Sequence, residues 1–252
     1  MPTPLEVLLD PISMGVLMLY AFMVLVETML PGKNYPKAKG WILRSIGVFI
    51  IYFFSSSYLP MVWDQYLSIY QIFDFSGLGT YAGAGIGLLL FEFLIYIWHR
   101  TMHQSKWLWF SFHQMHHSAE RVDSIGAFYL SPLDIIGFTL IGSLSVVLIV
   151  GITPQAATLF LFVSMFLAIF QHLNIKTPQW LGYIIQRPES HSVHHCKGVH
   201  RSNYSDLPLF DIIFGTFSNP KDFVEHVGFY EGASKRIPEM LMFKDVSQEE
   251  SS

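Results

Sequence analysis

Five long apolar segments constrain this chain more than any other feature of its sequence. Each is close to the about 20 residues that a helix needs to cross about 30 Å of hydrocarbon. Charged residues make up only 13% of the chain, whereas soluble domains carry about 25%. We therefore expect an all-α, multi-pass membrane bundle of about four to five membrane segments. The segments are 13–30, 41–59, 81–98, 133–150 and 154–171.

The first segment and the last two segments are expected to be placed differently in the bilayer. The first is expected to be a retained helix, because Glu6 and Asp10 precede it and no lysine or arginine does, unlike the charged start of a signal peptide. The last two segments are joined by the turn 151–154 and predict a membrane hairpin at about 133–171. This hairpin either crosses the bilayer fully or re-enters without crossing. Both alternatives return the chain to the same side.

All 15 lysines and arginines lie in regions that this topology places on one side of the membrane. The segments on the other side, 1–12, 60–80 and 151–154, contain none. Positive residues stay in the cytoplasm, so we expect the N-terminus outside and the C-terminus in the cytoplasm. The C-terminus carries no endoplasmic reticulum retention signal, which favours the bacterial inner membrane over the endoplasmic reticulum. The small net charge of −4 argues against a nucleic-acid partner.

Eight histidines form three groups with the spacing of metal ligands. Residues three or four apart share a helix face, with about 5–6 Å between their Cβ atoms, and neutral imidazole suits iron, zinc, copper and nickel. Eight ligands are too many for one ion and suit two. Adjacent histidines point about 100° apart on a helix, so neighbours are expected to serve different ions. The predicted ligands are His99, His103, His113, His116, His117, His191, His194 and His195.

Four other residues are weaker candidates. His172 ends the fifth apolar segment and is predicted as a ligand, although a lone histidine there is commonly an interfacial hydrogen-bonded residue. Glu92 lies two helical turns before His99, and a carboxylate inside a membrane span is a functional hypothesis by default. We favour a role in accepting the N–H of a ligand imidazole over direct metal binding or a protonated core residue. His200 and His226 fit no spacing and are expected to be solvated or to support ligands.

Several motifs between residues 88 and 217 resemble the fatty acid hydroxylase / sterol desaturase superfamily of membrane histidine-box di-iron oxygenases. Residues 92–103 look like its acid–x6–His–Arg–x2–His helix, and 108–118 are similar to its central histidine box. Residues 171–174 resemble its additional histidine position. The Asn203–Tyr204 pair and 210–216 look like the motifs that follow its last box.

The resemblance implies a membrane helical bundle with a cytoplasmic helical cap that holds a histidine-rich dimetal site. It implies two iron ions, with zinc possible on purification, and O2 as co-substrate. The reaction would hydroxylate or desaturate a C–H bond of a lipid such as a fatty acyl chain or sterol, and hydroxylation is favoured. An external ferredoxin, cytochrome b5 or reductase would supply electrons. Glu92, Asn203 and Asp211 are the candidate catalytic residues.

Four positions depart from the family pattern, namely Asp123, Tyr129, Ser205 and Phe210, which stand where Asn, Arg, Gly and Trp are usual. These changes affect the expected substrate contacts rather than metal binding. We divide the chain into N-terminal membrane helices (1–98), the histidine-box catalytic region (99–230) and a charged C-terminal tail (231–252) whose end is expected to be disordered.

Two other function classes stay open at this stage. An all-histidine site also suits a zinc-dependent membrane hydrolase, with Glu92, Glu120 or Asp123 as the general base. A metal-binding structural or transport protein is the other class, although a transporter would place polar ligands near the membrane midplane. Oxidation of an alkyl ether or a carotenoid would use the same site. Consumption of O2 separates the oxygenases from the other two classes.

Overall fold

The computed structural model describes residues 1–249, which form helices and loops without a β-strand. The all-α fold class predicted from the sequence is thereby confirmed. The last three residues of the predicted C-terminal tail, where disorder was expected, lie outside the described residues. The helices are α1 (Pro4–Leu9), α2 (Pro11–Met29), α3 (Trp41–Leu67), α4 (Gly79–Gln104), α5 (Lys106–Leu108), α6 (Gln114–His117), α7 (Pro132–Ser143), α8 (Pro154–Phe170), α9 (Pro188–His194), α10 (Leu209–Ile213) and α11 (Ile237–Leu241).

Four helical stretches are long and apolar enough to cross a membrane: Pro11–Met29, Trp41–Tyr70, Ser76–Gln104 and Pro132–Val150. The fifth apolar helix, α8, is shorter, with 17 residues. The prediction of four to five membrane segments is confirmed. Large apolar side chains on these helices face outward, and Leu43 and Tyr81 are 80% and 85% exposed. Such surfaces suit contact with lipid rather than water.

Three of the apolar helices begin at the same kind of local signal. Asp10, Ser131 and Thr153 each accept a hydrogen bond from a backbone N–H in the first turn of α2, α7 and α8, and a proline follows each of them. A capping oxygen satisfies a free N–H group, and proline at the first helical position lacks the N–H that would stay unpaired. The predicted segments therefore begin within two residues of the observed helices.

Two helices extend beyond the segments predicted from hydropathy. Helix α3 continues through Pro60 to Leu67, because membrane helices tolerate proline where side chains and local adjustments satisfy the freed backbone groups. Helix α4 continues to Gln104 and therefore carries His99 and His103 on its last turns. Because α3 extends to Leu67, the loop expected after residue 59 begins later in the chain.

The membrane helices pack around a shared interior. Helix α4 packs on α8 and α3 packs on α7. Small residues allow the close α4–α8 approach, since a Cβ at Gly83 would lie 3.2 Å from the Cβ of Ala156. This is a common way for membrane helices to associate. Aromatic rings fill the interior next to α2 and α3, where Tyr52 stacks on Phe128 at 4.2 Å between ring centroids.

The C-terminal residues complete a helical cap over one end of the bundle. We use "the cap" for 105–131 and 171–249. Met240 and Val246 are buried in a cluster with Trp41 and Met115, and Val246 N donates to Gln114 Oε1 at 3.3 Å. The part of the predicted tail up to residue 249 thus packs against the segment that carries the central histidines. The three-part division of the chain stays a prediction.

Candidate metal centre

Four elements bring histidines to the junction between bundle and cap. Helix α4 supplies two from its C-terminal turns, and α9 supplies two, with a third as its C-terminal cap. The central box lies on a π-helical turn, Trp109–His113, that runs into α6. Such turns are frequent at functional sites. His172 lies two residues after the last residue of α8.

The nine histidines form two groups whose ligand atoms lie within 4.8 Å of one another. The five-histidine group consists of His99, His103, His113, His117 and His194, and the four-histidine group consists of His116, His172, His191 and His195. Each adjacent pair of histidines is divided between the groups, as a rotation of about 100° per helical residue requires. All nine residues predicted as ligands are therefore together, and either group has enough nitrogen donors to hold one metal ion.

In the five-histidine group, oxygen atoms fix the protonation of several rings. The Nδ1 of His99 lies 2.7 Å from the carbonyl oxygen of Tyr204, and the Nδ1 of His194 lies 2.8 Å from that of Ser202. A carbonyl oxygen only accepts, so both Nδ1 atoms carry the proton. In a neutral imidazole, the Nε2 then carries a lone pair. The lone pairs of these rings are left to bind a cation.

The contact between His99 and His113 supports a metal in this group. Their Nε2 atoms are 2.8 Å apart, and the Nδ1 of His113 donates to Asp134 Oδ2 at 2.7 Å. Both Nε2 atoms are therefore unprotonated and would repel each other. The Nε2 atoms of His103, His117 and His194 are buried without a hydrogen-bond partner among the described residues. A cation relieves both the repulsion and the unsatisfied nitrogens.

The four-histidine group has a similar arrangement around His172. Its Nδ1 donates to the carbonyl oxygen of Ala168 at 2.7 Å, so its Nε2 carries a lone pair. That Nε2 lies 3.1 Å from the Nε2 of His116 and 3.0 Å from that of His191. One lone pair accepts one hydrogen bond well, and here two nitrogens approach it. A bound cation is the better partner for these nitrogens.

Burial keeps the cap histidines neutral. Desolvation lowers the pKa of His113, His117 and His194 well below the usual range, and positive charge on neighbouring imidazoles would lower it further. Burial also lowers the pKa of His172, to about 4. Metal binding requires the neutral form of imidazole. At neutral pH these rings are therefore ready to bind metal without losing a proton.

Asp134 is a site residue that the sequence analysis missed. It is fully buried at the start of α7 and accepts the N–H of His113. Metal-binding histidines commonly donate their second N–H to such a carboxylate, which orients the ring and raises its basicity. The signal was available, because Asp134 lies at the start of an apolar segment, and acids in such segments are functional hypotheses.

Of the three candidate catalytic residues, Glu92 and Asp211 bind one loop, 202–207, and Asn203 belongs to it. Glu92 Oε2 accepts from the backbone N–H groups of residues 206 and 207 at 2.8 and 3.0 Å, where we expected a histidine N–H. Asp211 Oδ1 accepts from Tyr204 N at 2.9 Å. Asn203 Nδ2 donates to Ser190 O on α9 at 2.7 Å. These bonds hold the loop whose carbonyl oxygens orient His99 and His194.

The two remaining histidines lie in different surroundings. The Nδ1 of His200 is 3.1 Å from the Nδ1 of His117, so His200 contacts a residue of the five-histidine group from outside. His226 is exposed, and its imidazole lies 3.4 Å from the Glu225 carboxylate. Of these two histidines, only His200 lies where it can hold the ring of a predicted metal ligand, His117.

A cavity of about 320 Å³ connects both groups to the bundle interior. Its size falls within the range of about 300–1,000 Å³ that small-molecule sites occupy. His99 and His113 from one group, and His116, His172 and His191 from the other, line one end. Apolar residues of α3, α4, α7 and α8 line most of the remainder. An apolar molecule in this cavity would reach both histidine groups.

Comparison with known proteins identifies related lipid-modifying enzymes. The chain is 28% identical over 138 residues to a cholesterol 25-hydroxylase-like protein of Danio rerio, covering 51% of this chain and 53% of that protein. It is 29% identical over 139 residues to a very-long-chain aldehyde decarbonylase of Oryza sativa subsp. indica, covering 52% of each. It is 30% identical over 142 residues to an ornithine lipid hydroxylase of Rhizobium tropici, covering 54% of this chain and 41% of that protein.

The chain spans about half the length of the curated relatives it matches. No solved structure matches it significantly. The family model described as fatty acid hydroxylase matches residues 84–216, which is more than half of the chain and includes every residue of both histidine groups. The superfamily resemblance drawn from the histidine motifs is confirmed: this chain belongs to the fatty acid hydroxylase family.

Proposed function

We propose that this protein is an O2-dependent di-iron membrane oxidoreductase that hydroxylates a C–H bond of a lipid such as a fatty acyl chain or sterol. The observation that carries the proposal is that two groups of unprotonated imidazole nitrogens open onto an apolar cavity inside a membrane bundle. The names of several relatives describe hydroxylation of lipids. Desaturation uses the same site chemistry, and we favour hydroxylation.

The donor set fits two iron ions, one in each histidine group. Imidazole is an accepted ligand for iron, and the short Nε2 contacts and unpartnered nitrogens call for cations. When bound, iron supplies the redox chemistry that activates O2 and oxidises an unactivated C–H bond. His99, His113 and His172 would bind through Nε2, since Nδ1 of each donates to an oxygen.

The protein itself supplies substrate position and exclusion of water. The ring of Phe138 lies 6.1 and 6.2 Å from the rings of His99 and His113, at the histidine end of the cavity. Apolar walls of this kind place an aliphatic carbon beside the histidine groups and protect a reactive oxidant from side reactions. Asp206 also lines this end, where burial raises its pKa to about 7 and Gln171 Nε2 donates to it at 2.6 Å.

Each of the three carboxylates named as a general base for the hydrolase alternative already accepts hydrogen bonds from another part of the protein. Glu120 accepts from Ser234 Oγ at 2.6 Å, and Asp123 accepts from the Trp41 indole N–H at 3.1 Å. Glu120 thus binds a cap residue, Asp123 binds the first residue of α3, and Glu92 binds the 202–207 loop. The bonds that these acids make weigh against water activation by zinc and favour the oxygenase.

The location and partners are part of the same proposal. The four membrane-capable helices support an integral membrane protein. We propose that the histidine end and the C-terminus face the cytoplasm, with the bacterial inner membrane favoured, because the lysines and arginines gather on that side. Electrons would come from a separate ferredoxin, cytochrome b5 or reductase.

The test is metal analysis followed by turnover. Elemental analysis and Mössbauer spectroscopy on protein grown with iron-57 should give about two irons per chain with a coupled diferric signal. With a reductase and lipid present, O2 consumption should accompany formation of an alcohol. About two zincs and no iron after iron-supplemented growth would overturn the proposal in favour of hydrolysis or a structural role.

A further inference from the structure

Four carboxylates lie within the membrane-capable helices, and in three of them, Asp64, Glu92 and Asp134, one oxygen is buried without a hydrogen-bond partner among residues 1–249. Glu27 and Glu92 accept from backbone N–H groups, and Asp134 accepts from a histidine. Asp64, on α3, differs in that its carboxylate accepts from neither a backbone N–H group nor a histidine among residues 1–249, but from the hydroxyl of Ser143. A carboxylate in a membrane segment is costly and functional by default. The unpaired oxygen of Asp64 therefore requires an explanation.

Asp64 lines the same cavity as the histidines, at its other end. Ser143, the last residue of α7, lines the cavity with it. The indole N–H of Trp63, next to Asp64, donates to Ser143 Oγ at 2.8 Å and joins α3 to α7. Ser143 lies nine residues along α7 from Asp134, which corresponds to about 14 Å at 1.5 Å per residue. Asp134 binds His113, so the end of the cavity that Asp64 and Ser143 line, which we call the polar end, lies about 14 Å from the histidine groups.

The hydrogen-bonding groups of Asp64 and Ser143 indicate which kind of ligand this end of the cavity binds. Asp64 is acceptor-only when ionised. Trp63 uses one lone pair of Ser143, and the hydroxyl hydrogen of Ser143 is directed at the Asp64 carboxylate, which leaves one oxygen of Asp64 unpaired. Apolar walls separate the two ends of the cavity, so a wholly apolar ligand would leave that oxygen unpaired at a cost. A ligand that ends in a hydrogen-bond donor removes that cost.

We propose that Asp64 and Ser143 bind the hydroxyl or ammonium group of an amphiphilic lipid. The apolar body of the lipid then extends along the cavity and places a carbon about 14 Å away beside the histidines. Asp64 is thus a specificity-determining residue that selects the substrate and the oxidised carbon. Its negative charge disfavours a lipid with a free carboxylate in the same orientation. The oxidised position rests on the proposed function, whereas the binding selectivity does not.

The experiment compares four probes of equal chain length on the full-length protein in phosphatidylcholine nanodiscs. The probes are dodecan-1-ol, dodecylamine, dodecanoate and dodecane, and binding is measured by the ligand-induced shift in Tm. The alcohol and the amine should bind about tenfold more tightly than dodecane, since a hydrogen bond to a charged group is stronger than one between neutral groups. Dodecanoate should bind no better than dodecane.

Variants assign this selectivity to the polar end. Asp64→Leu should bind all four probes within about twofold of one another, and Asp64→Asn should lose the preference for the amine while gaining affinity for dodecanoate. Asp74→Asn, an exposed acid on the adjacent loop, is the matched control and should behave as wild type. Metal content, measured alongside, should stay unchanged in all three variants. Equal binding of the four probes by the wild type, or unchanged selectivity in Asp64→Leu, would overturn the inference even if the protein proves to be an oxygenase.

Discussion

The five-histidine and four-histidine groups hold similar numbers of imidazoles but are supported very differently. In the first, oxygen atoms orient His99, His113 and His194, and one of those oxygens belongs to a carboxylate. In the second, the carbonyl oxygen of Ala168 orients His172 and that of Tyr129 lies near His116, whereas the Nδ1 atoms of His191 and His195 are buried without a partner among the described residues.

The difference indicates unequal metal sites within one centre. Hydrogen bonds to the outer nitrogen raise the basicity of a ligand and hold its ring in place. The five-histidine group should therefore bind its ion more tightly and keep its geometry, and the four-histidine group should be the more adaptable of the two. The following predictions test this contrast, from the largest expected effect to the smallest.

The adjacent residues His194 and His195 separate the two groups most directly. Replacing either with alanine should reduce metal content from about two ions per chain to about one, because each histidine serves one ion, and should abolish turnover. In His195→Ala the retained ion should resist chelation, whereas in His194→Ala it should not. Elemental analysis after chelator treatment measures this. Full metal retention in both variants would refute the ligand assignment.

Asp134→Asn should remove the tighter metal binding that we expect of the five-histidine group. The neutral amide polarises His113 less than a carboxylate does, so metal affinity or activity should fall by about 10–100-fold. Competition with a chelator, site by site, gives the affinities. Asp123→Asn is the control, because Asp123 is a buried carboxylate that accepts from Trp41 and not from a histidine. Equal metal loss in both variants would indicate a general effect on folding.

Glu92→Gln should weaken the support of the five-histidine group indirectly. The carboxyl oxygen that holds residues 206 and 207 is replaced by an amide group, one of whose ends is a donor, so turnover should slow by about an order of magnitude while metal stays partly bound. Glu27→Gln is the matched control, since Glu27 also accepts from two backbone N–H groups, at 2.7 and 3.0 Å. If turnover is unaltered, Glu92 has only a structural role.

Acidification should have little effect until the pH is low. A proton competes with metal only as the pH falls through the pKa of the folded imidazole, which burial lowers to about 4 for His172. Metal content should therefore be constant from pH 7 to about 5 and fall near pH 4. Elemental analysis after dialysis at each pH measures it. Loss beginning near pH 6.5, the ordinary value for histidine, would mean that these rings are solvated.

The sequence by itself determined the all-α membrane fold, the approximate helix starts and the nine clustered histidines. These features are local, because hydropathy, capping residues and helical spacing act over a few turns of chain. Even the division of adjacent histidines between two groups follows from the rotation per helical residue.

Only the tertiary structure decided how the site is supported and what its cavity presents. Asp134 meets His113 across 21 residues, and Tyr204 meets His99 across 105, so no local pattern predicts these bonds. Glu92, Asn203 and Asp211 were singled out as single residues, but their shared role in holding 202–207 depends on where the loop folds back. The position of Asp64 at the far end of the cavity follows from the packing of α3 on α7. This packing decides which face of α3 is turned toward the cavity.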